Sequence, residues 1–173
     1  MSASAHDSRP IIVGLDGSDS SLAALRWALH EAVTAQVPVE VIHCWEPQDF
    51  TDVLFASAHE LSTASVCLLQ TEVSAAVRGM AGPPAVTQSS VHGRAATALL
   101  QRSGNARMIV LGAREKRAVR DLLRGPVERT VRRHATCPVV VVDRHGRVVT
   151  GPEASAGTGD PAAGAEDPAR SPG

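Results

Sequence analysis

Between Val110 and Val127 the chain reads VLGAREKRAVRDLLRGPV, and its residue types suit one kind of chemistry, the holding of phosphate. Arg114, Lys116, Arg117, Arg120 and Arg124 are cations that can meet phosphate oxygens, arginine as a planar fork and lysine as a point charge. Gly112 and Gly125 bracket the segment, and a glycine lets backbone N–H groups come close to an anion. Glu115 and Asp121 oppose that chemistry. A carboxylate at about 4 Å from a phosphate costs roughly 1 kcal/mol in water and roughly 4 kcal/mol at a surface-like dielectric. Pro126 has no N–H to offer. The cations either converge on phosphates or form a solvated face; ordering long side chains on a loop costs entropy, which favours the solvated face.

A second candidate lies far upstream. Asp16 ends the apolar run IIVGLD and opens DGSDSS, a stretch of turn residues and helix N-caps. As a turn residue it satisfies backbone N–H groups; as a strand-end carboxylate it can face a ligand. Both roles are open at this level. No nucleophile, base and orienting group stand at a usable spacing, so no catalytic residue is assigned. His134 and Cys137 are three apart and His43 adjoins Cys44, but no four-ligand spacing exists, so no metal is expected. The P-loop pattern and the dinucleotide fingerprint are absent. So are the acidic cluster and strand-end lysine of a phosphoacceptor receiver domain.

These residues need elements to position them, and the apolar pattern supplies a regular alternation. Strands are predicted at Ile11 to Leu15, Pro38 to Cys44, 85–91, 106–112 and 137–143. Helices are predicted at about Ser20 to Gln36, Ala58 to Met80, 93–105 and Pro126 to Ala135. The first helix presents Leu22, Leu25, Leu29, Ala32 and Val33 on one side, with Trp27 off that stripe. The second repeats Val66, Leu69, Val73, Val77 and Met80. The third strand alternates with polar residues and is expected at an edge; the fourth is fully apolar and expected at the centre. Strand–helix alternation means an α/β fold, a parallel sheet covered by helices on both faces and doubly wound in the Rossmann-like manner. In such sheets ligands bind beyond the C-terminal strand ends, where the strand order reverses. Here those ends carry Asp16 and Gly112.

Composition bounds the rest. At 173 residues and 43% apolar content the chain fits one globular domain. A net charge of −1 gives no support to nucleic acid as a partner. No apolar run has the length of a membrane span, and MSASAHDSRP lacks a signal-peptide core, so a cytoplasmic protein with no membrane partner is expected. Cys44, Cys67 and Cys137 are too few for a disulfide framework. Residues 1–8 are expected as a flexible arm, 9–144 as the domain, and 145–173, rich in Gly, Pro and Ala, as a disordered tail.

Three separated motifs carry a family resemblance. Val13-Gly14-Leu15-Asp16-Gly17-Ser18-Asp19-Ser20-Ser21 is similar to V-G-x-D-G-S-x-x-S, and Val91, Gly93 and Leu99 fit V-x-x-G-x-x-x-x-x-L loosely. Val131 to Val142 is similar to V-x-R-H-A-x-C-P-V-x-V-V. Over about Arg9 to Asp143 the chain resembles a universal stress protein domain. The resemblance implies five parallel strands in the order 3-2-1-4-5. ATP-binding members share a loop, G-x2-G-x9-G-[S/T]. Aligned here, Gly112 and Gly125 keep the first and third glycines, while Glu115 and Pro126 replace the second glycine and the Ser/Thr. Each lost hydrogen bond to a charged group costs roughly 1.5–3 kcal/mol, so triphosphate binding is expected to fall by about two orders of magnitude or more.

The resemblance further implies that Asp16 lies on the adenine side and that backbone groups around Val41 face adenine. It implies a homodimer in which the fifth strand, Val139, Val140, Val141 and Val142, pairs with its copy. The expected function is a non-catalytic, dimeric stress-response or signalling module with weakened or lost ATP binding and an unknown protein partner. No cofactor is required, and ATP or another adenine nucleotide is allowed as a weak ligand. The alternative is an ATP binder that uses Arg114 and the other basic side chains up to Arg124. More remote is an ATP-using enzyme of the pyrophosphatase-like kind, whose Ser-Gly-Gly-x-Asp-Ser loop DGSDSS resembles without its paired glycines.

Overall fold

The computed structural model describes residues 8–46, 57–113 and 126–151. Among the described residues ten elements follow one another: β1 (Ile11–Gly14), α1 (Asp19–Ala35), β2 (Val39–Trp45), α2 (Ala58–Val77), β3 (Val86–His92), α3 (Ala95–Ser103), β4 (Met108–Gly112), α4 (Pro126–His134), β5 (Val139–Val142) and β6 (Val148–Thr150). They form one sheet in the order β3-β2-β1-β4-β5-β6. The first five strands are parallel to their neighbours, and β6 runs antiparallel to β5. The predicted order 3-2-1-4-5 holds, with β3 at an edge and β1 and β4 inside.

Side chains of β1 alternate between two cores, as a period of two requires. Ile11 and Val13 join Leu25, Leu29, Val41 and Leu69 under α1 and α2. Ile12 joins Ile42, Leu99, Ile109, Leu111 and Val131 under α3 and α4. Helix α1 lays Ala24, Ala28 and Ala32 fully buried on the sheet, and such small side chains allow a close approach. Its turn geometry shifts the predicted stripe, so Val33 falls on the flank at 41% exposure, while Trp27 packs partly buried against the core. Helix α2 begins with a capping box: Ser57 N donates to Glu60 Oε2 at 2.7 Å and Glu60 N to Ser57 Oγ at 3.3 Å. It ends at Val77, not Met80, and buries Ser65, Leu69 and Val73, leaving Val66 at 39% exposure.

Strand β6 corrects the predicted tail. Residues after Arg144 turn back, and Val148–Thr150 pair with Val141 and Val142. Asp143 organises the turn: its Oδ1 accepts from the backbone N–H groups of His145 at 2.8 Å and Arg147 at 2.9 Å, and its Oδ2 from Arg147 Nε at 2.9 Å. Those bonds hold the Asp143 carboxyl below its ordinary range, the Arg147 amide contributing most. The sequence lacks a large apolar residue here, but a carboxylate that satisfies two amides sets a turn without one. The outer edge of β5 is therefore covered at Val141 and Val142, where the resemblance implied pairing with a second copy. Residues 1–7 of the predicted arm and 152–173 of the predicted tail lie outside the described residues. Among the described residues no helix is long and apolar enough to cross a membrane.

Candidate functional site

The turn after β1 is built by its own side chains. Leu15 N donates to Ile42 O at 2.9 Å, the last sheet-like bond before the chain leaves the strand. Asp16 Oδ1 then accepts from Ser18 N at 3.0 Å and from Ser18 Oγ at 2.6 Å. Gly17 takes φ +79°, which L side chains rarely adopt. Ser18 caps α1, accepting from Ser21 N at 3.3 Å. Asp16 is thus a turn residue, and it also lines a cleft.

That cleft, about 220 Å³, opens beyond the C-terminal ends of β1 and β4. Ile42, Leu99 and Leu111 are apolar lining residues, and Asp16, Ser21, Cys44 and Glu128 are the more polar ones. Gly14 and Gly112 line it as well. A Cβ on Gly112 would stand 2.5 Å from Ser21 N and 2.6 Å from Ser20 C, so this glycine lets the start of α1 press on the end of β4. A recess of about 460 Å³ adjoins, sharing Cys44, Ala95 and Val127 and reaching Glu46, Arg94, Pro126 and Thr130. An apolar lining with a few polar groups, placed where the strand order reverses, is the usual form of a small-molecule site.

Asp16 and Gly112 both line the cleft. The Val41 side chain is fully buried in the core under α1 and α2, with its backbone in register between Val13 and Gln88. Successive strand residues face opposite ways, so its neighbours Ile42 and Cys44 line the cleft. Burial pushes the Cys44 thiol up, with Arg102 opposing and Glu46 reinforcing. Arg114, Glu115 and Gly125 lie outside the described residues, whereas Pro126 begins α4 and lines the recess. Glu128, unmarked in the sequence, is 6% exposed in the first turn of α4, with Arg132 Nη1 3.8 Å from its Oε1.

On the other face of β2 a polar chain runs beneath α2. His43 Nδ1 lies 2.8 Å from Ser65 Oγ, Ser90 Oγ donates to Ser65 Oγ at 2.7 Å, and Trp45 Nε1 donates to Ser90 Oγ at 3.0 Å. Burial lowers the His43 pKa, with the Asp16 charge acting against that shift. Ser65 is 1% exposed, so this is a satisfied internal network and not an accessible nucleophile. Among the described residues no group of three or more His, Cys, Asp or Glu could hold a metal ion.

The sequence pattern of the universal stress protein family matches residues 8–143. Two universal stress proteins of Mycobacterium tuberculosis are similar to the chain. One is 30% identical over 160 residues and the other 31% over 153, each match covering 87% of this chain and 53% of the relative. The chain thus spans about half the length of the curated relatives it matches. Among solved structures, a universal stress protein in complex with cAMP superposes with a TM-score of 0.61 at 23% identity, over 79% of this chain and 98% of that one. A universal stress family protein from Arabidopsis thaliana with AMP bound gives 0.54 at 18% identity, over 79% and 92%. At these identities the structural likeness establishes the fold.

Proposed function

Because the chain belongs to the universal stress protein family, we propose that its cleft takes an adenine compound, holds ATP weakly and turns nothing over, the protein acting as a binding and signalling module in the stress response. The observation that carries this is the presence of Asp16, Ser21 and Gly112 with apolar residues on the lining of one cleft at the ends of β1 and β4. The cAMP and AMP in the two superposed relatives are consistent with it. Glu115 adds a carboxylate and Pro126 removes donors at two positions of the family's phosphate loop, which supports weak rather than tight triphosphate binding.

A homodimer belongs to the same proposal. A second copy would meet β6, whose Val148 and Val149 are 46% and 51% exposed, and Val139 and Val140 of β5, which have no partner in the β5–β6 register. We assign the protein to the cytoplasm; Cys44, Cys67 and Cys137 are free thiols, which suits a reducing compartment.

Titration calorimetry with ATP tests the proposal. The unmutated protein is expected to bind in the high-micromolar range or weaker, and Glu115→Gly with Pro126→Ser to bind more tightly. Low-micromolar ATP affinity in the unmutated protein would overturn it and point to the basic side chains between Arg114 and Arg124 as phosphate ligands.

A further inference from the structure

Helix α4 exposes Arg129, Arg133 and His134, and the two arginines stand one helical turn apart on the same face. Arg132 has Glu128 beside it and Arg102 has Glu40, but among the described residues no carboxylate pairs with Arg129 or Arg133. Cations in the last turn answer the negative end of the helix dipole; Arg129 lies before that turn and is not accounted for in this way. The large apolar side chains that are exposed, Val33, Val66, Val148 and Val149, all lie on other elements, so charge is what this face offers a partner.

The chain itself brings carboxylates to that end of the molecule. Strand β6 pairs Val148 with Val142 and Thr150 with Val141, so it runs toward the start of β5. Helix α4 ends at His134, and residues 135–138 join it to the same start of β5. Both elements therefore finish at one end of the sheet. Beyond Gly151 the sequence carries Glu153, Asp160, Glu166 and Asp167 against Arg170 alone. A segment as long as 152–173 can span about 70 Å when extended, several times the roughly 13 Å length of α4. Each exposed ion pair is weak, but attachment to the same chain holds the carboxylates at an effective concentration on the order of millimolar, so a modest affinity suffices. We propose that the exposed face of α4 docks the chain's own residues 152–173, whose carboxylates pair with Arg129 and Arg133. An outside polyanion then reaches this face only by displacing the segment, and salt weakens the contact.

Amide proton–nitrogen correlation spectra of the full chain test it. The variant carries Glu153→Gln, Asp160→Asn, Glu166→Gln and Asp167→Asn together. At low salt its α4 amides are expected to shift from their positions in the unmutated protein, while those of α1, on the opposite face of the sheet, stay in place. Salt at about 0.5 M is expected to move the unmutated protein's α4 amides the same way and to leave the variant's nearly unmoved. Reciprocally, Arg129→Gln with Arg133→Gln is expected to shift the amides around Glu166 and Asp167. Coincident α4 amides in the unmutated protein and the tail variant at low salt would overturn the proposal. So would an equal salt response in both, which would mean that counterions alone screen the arginines. Shifts that fade on dilution would make the occupant a second copy, which also overturns docking within one chain. If the arginine variant does not fold, the tail variant decides, since its substitutions lie outside every described element.

Discussion

The Cβ that Gly112 lacks would stand 2.5 Å from the backbone nitrogen of Ser21. Neither partner can yield, because Ser21 is in the first turn of α1 and Gly112 is in register with Val142 at the end of β4. The family's first loop glycine thus has a packing reason that holds with or without a phosphate.

Gly112→Ala is accordingly expected to destabilise the fold by about 1–3 kcal/mol, the usual cost of overpacking, and to disturb the Asp16 turn. Urea denaturation measures it; an unchanged midpoint would show that α1 can retreat freely.

Ser65→Ala removes the oxygen shared by His43 and Ser90. Leaving such groups short of a partner under α2 is expected to cost about 1–3 kcal/mol. Chemical denaturation of Ser65→Ala, beside Ser90→Ala, reads the loss, and a cost near zero would mean that water takes the place of the hydroxyl.

Stability is expected to depend on pH in two windows. His43 has its pKa lowered from the ordinary 6.5, chiefly by burial, so the unfolded chain binds the proton more readily. Its contribution is present above pH 6.5 and lost as pH falls through the folded value. Asp143 is lowered from 3.8, and its contribution is present above that pH and lost below it. Melting temperature followed from pH 8 downward should show the first decline in the unmutated protein and a smaller one in His43→Gln.

Truncation after Arg144 removes β6 and the Arg147 amide and guanidinium that bind Asp143. A melting temperature lower by several degrees is expected, against the unchanged value that a disordered tail from residue 145 would give. Equal melting temperatures would show that β6 adds nothing to the sheet.

If two copies associate through the β6 side, Val148→Lys with Val149→Lys should give monomers, since charge on an edge strand discourages pairing. Light scattering at micromolar concentration reads this directly. A monomer in the unmutated protein would end the dimer proposal.

The sequence by itself determined the layered fold and the central place of β4, because strand–helix alternation, right-handed crossovers and a fully apolar strand leave few other arrangements. The family motifs narrowed the strand order further. Tertiary structure decided the remainder. Which face of β2 meets the cleft depends on the register that puts the Val41 side chain under α1 and α2 and Cys44 opposite. Glu128 looks like an ordinary acid at a helix start until α4 brings it to the lining of the cleft that Gly112 also lines. Strand β6 is short and mostly exposed, so its place rests on backbone pairing and on Asp143, and neither leaves an apolar pattern to read.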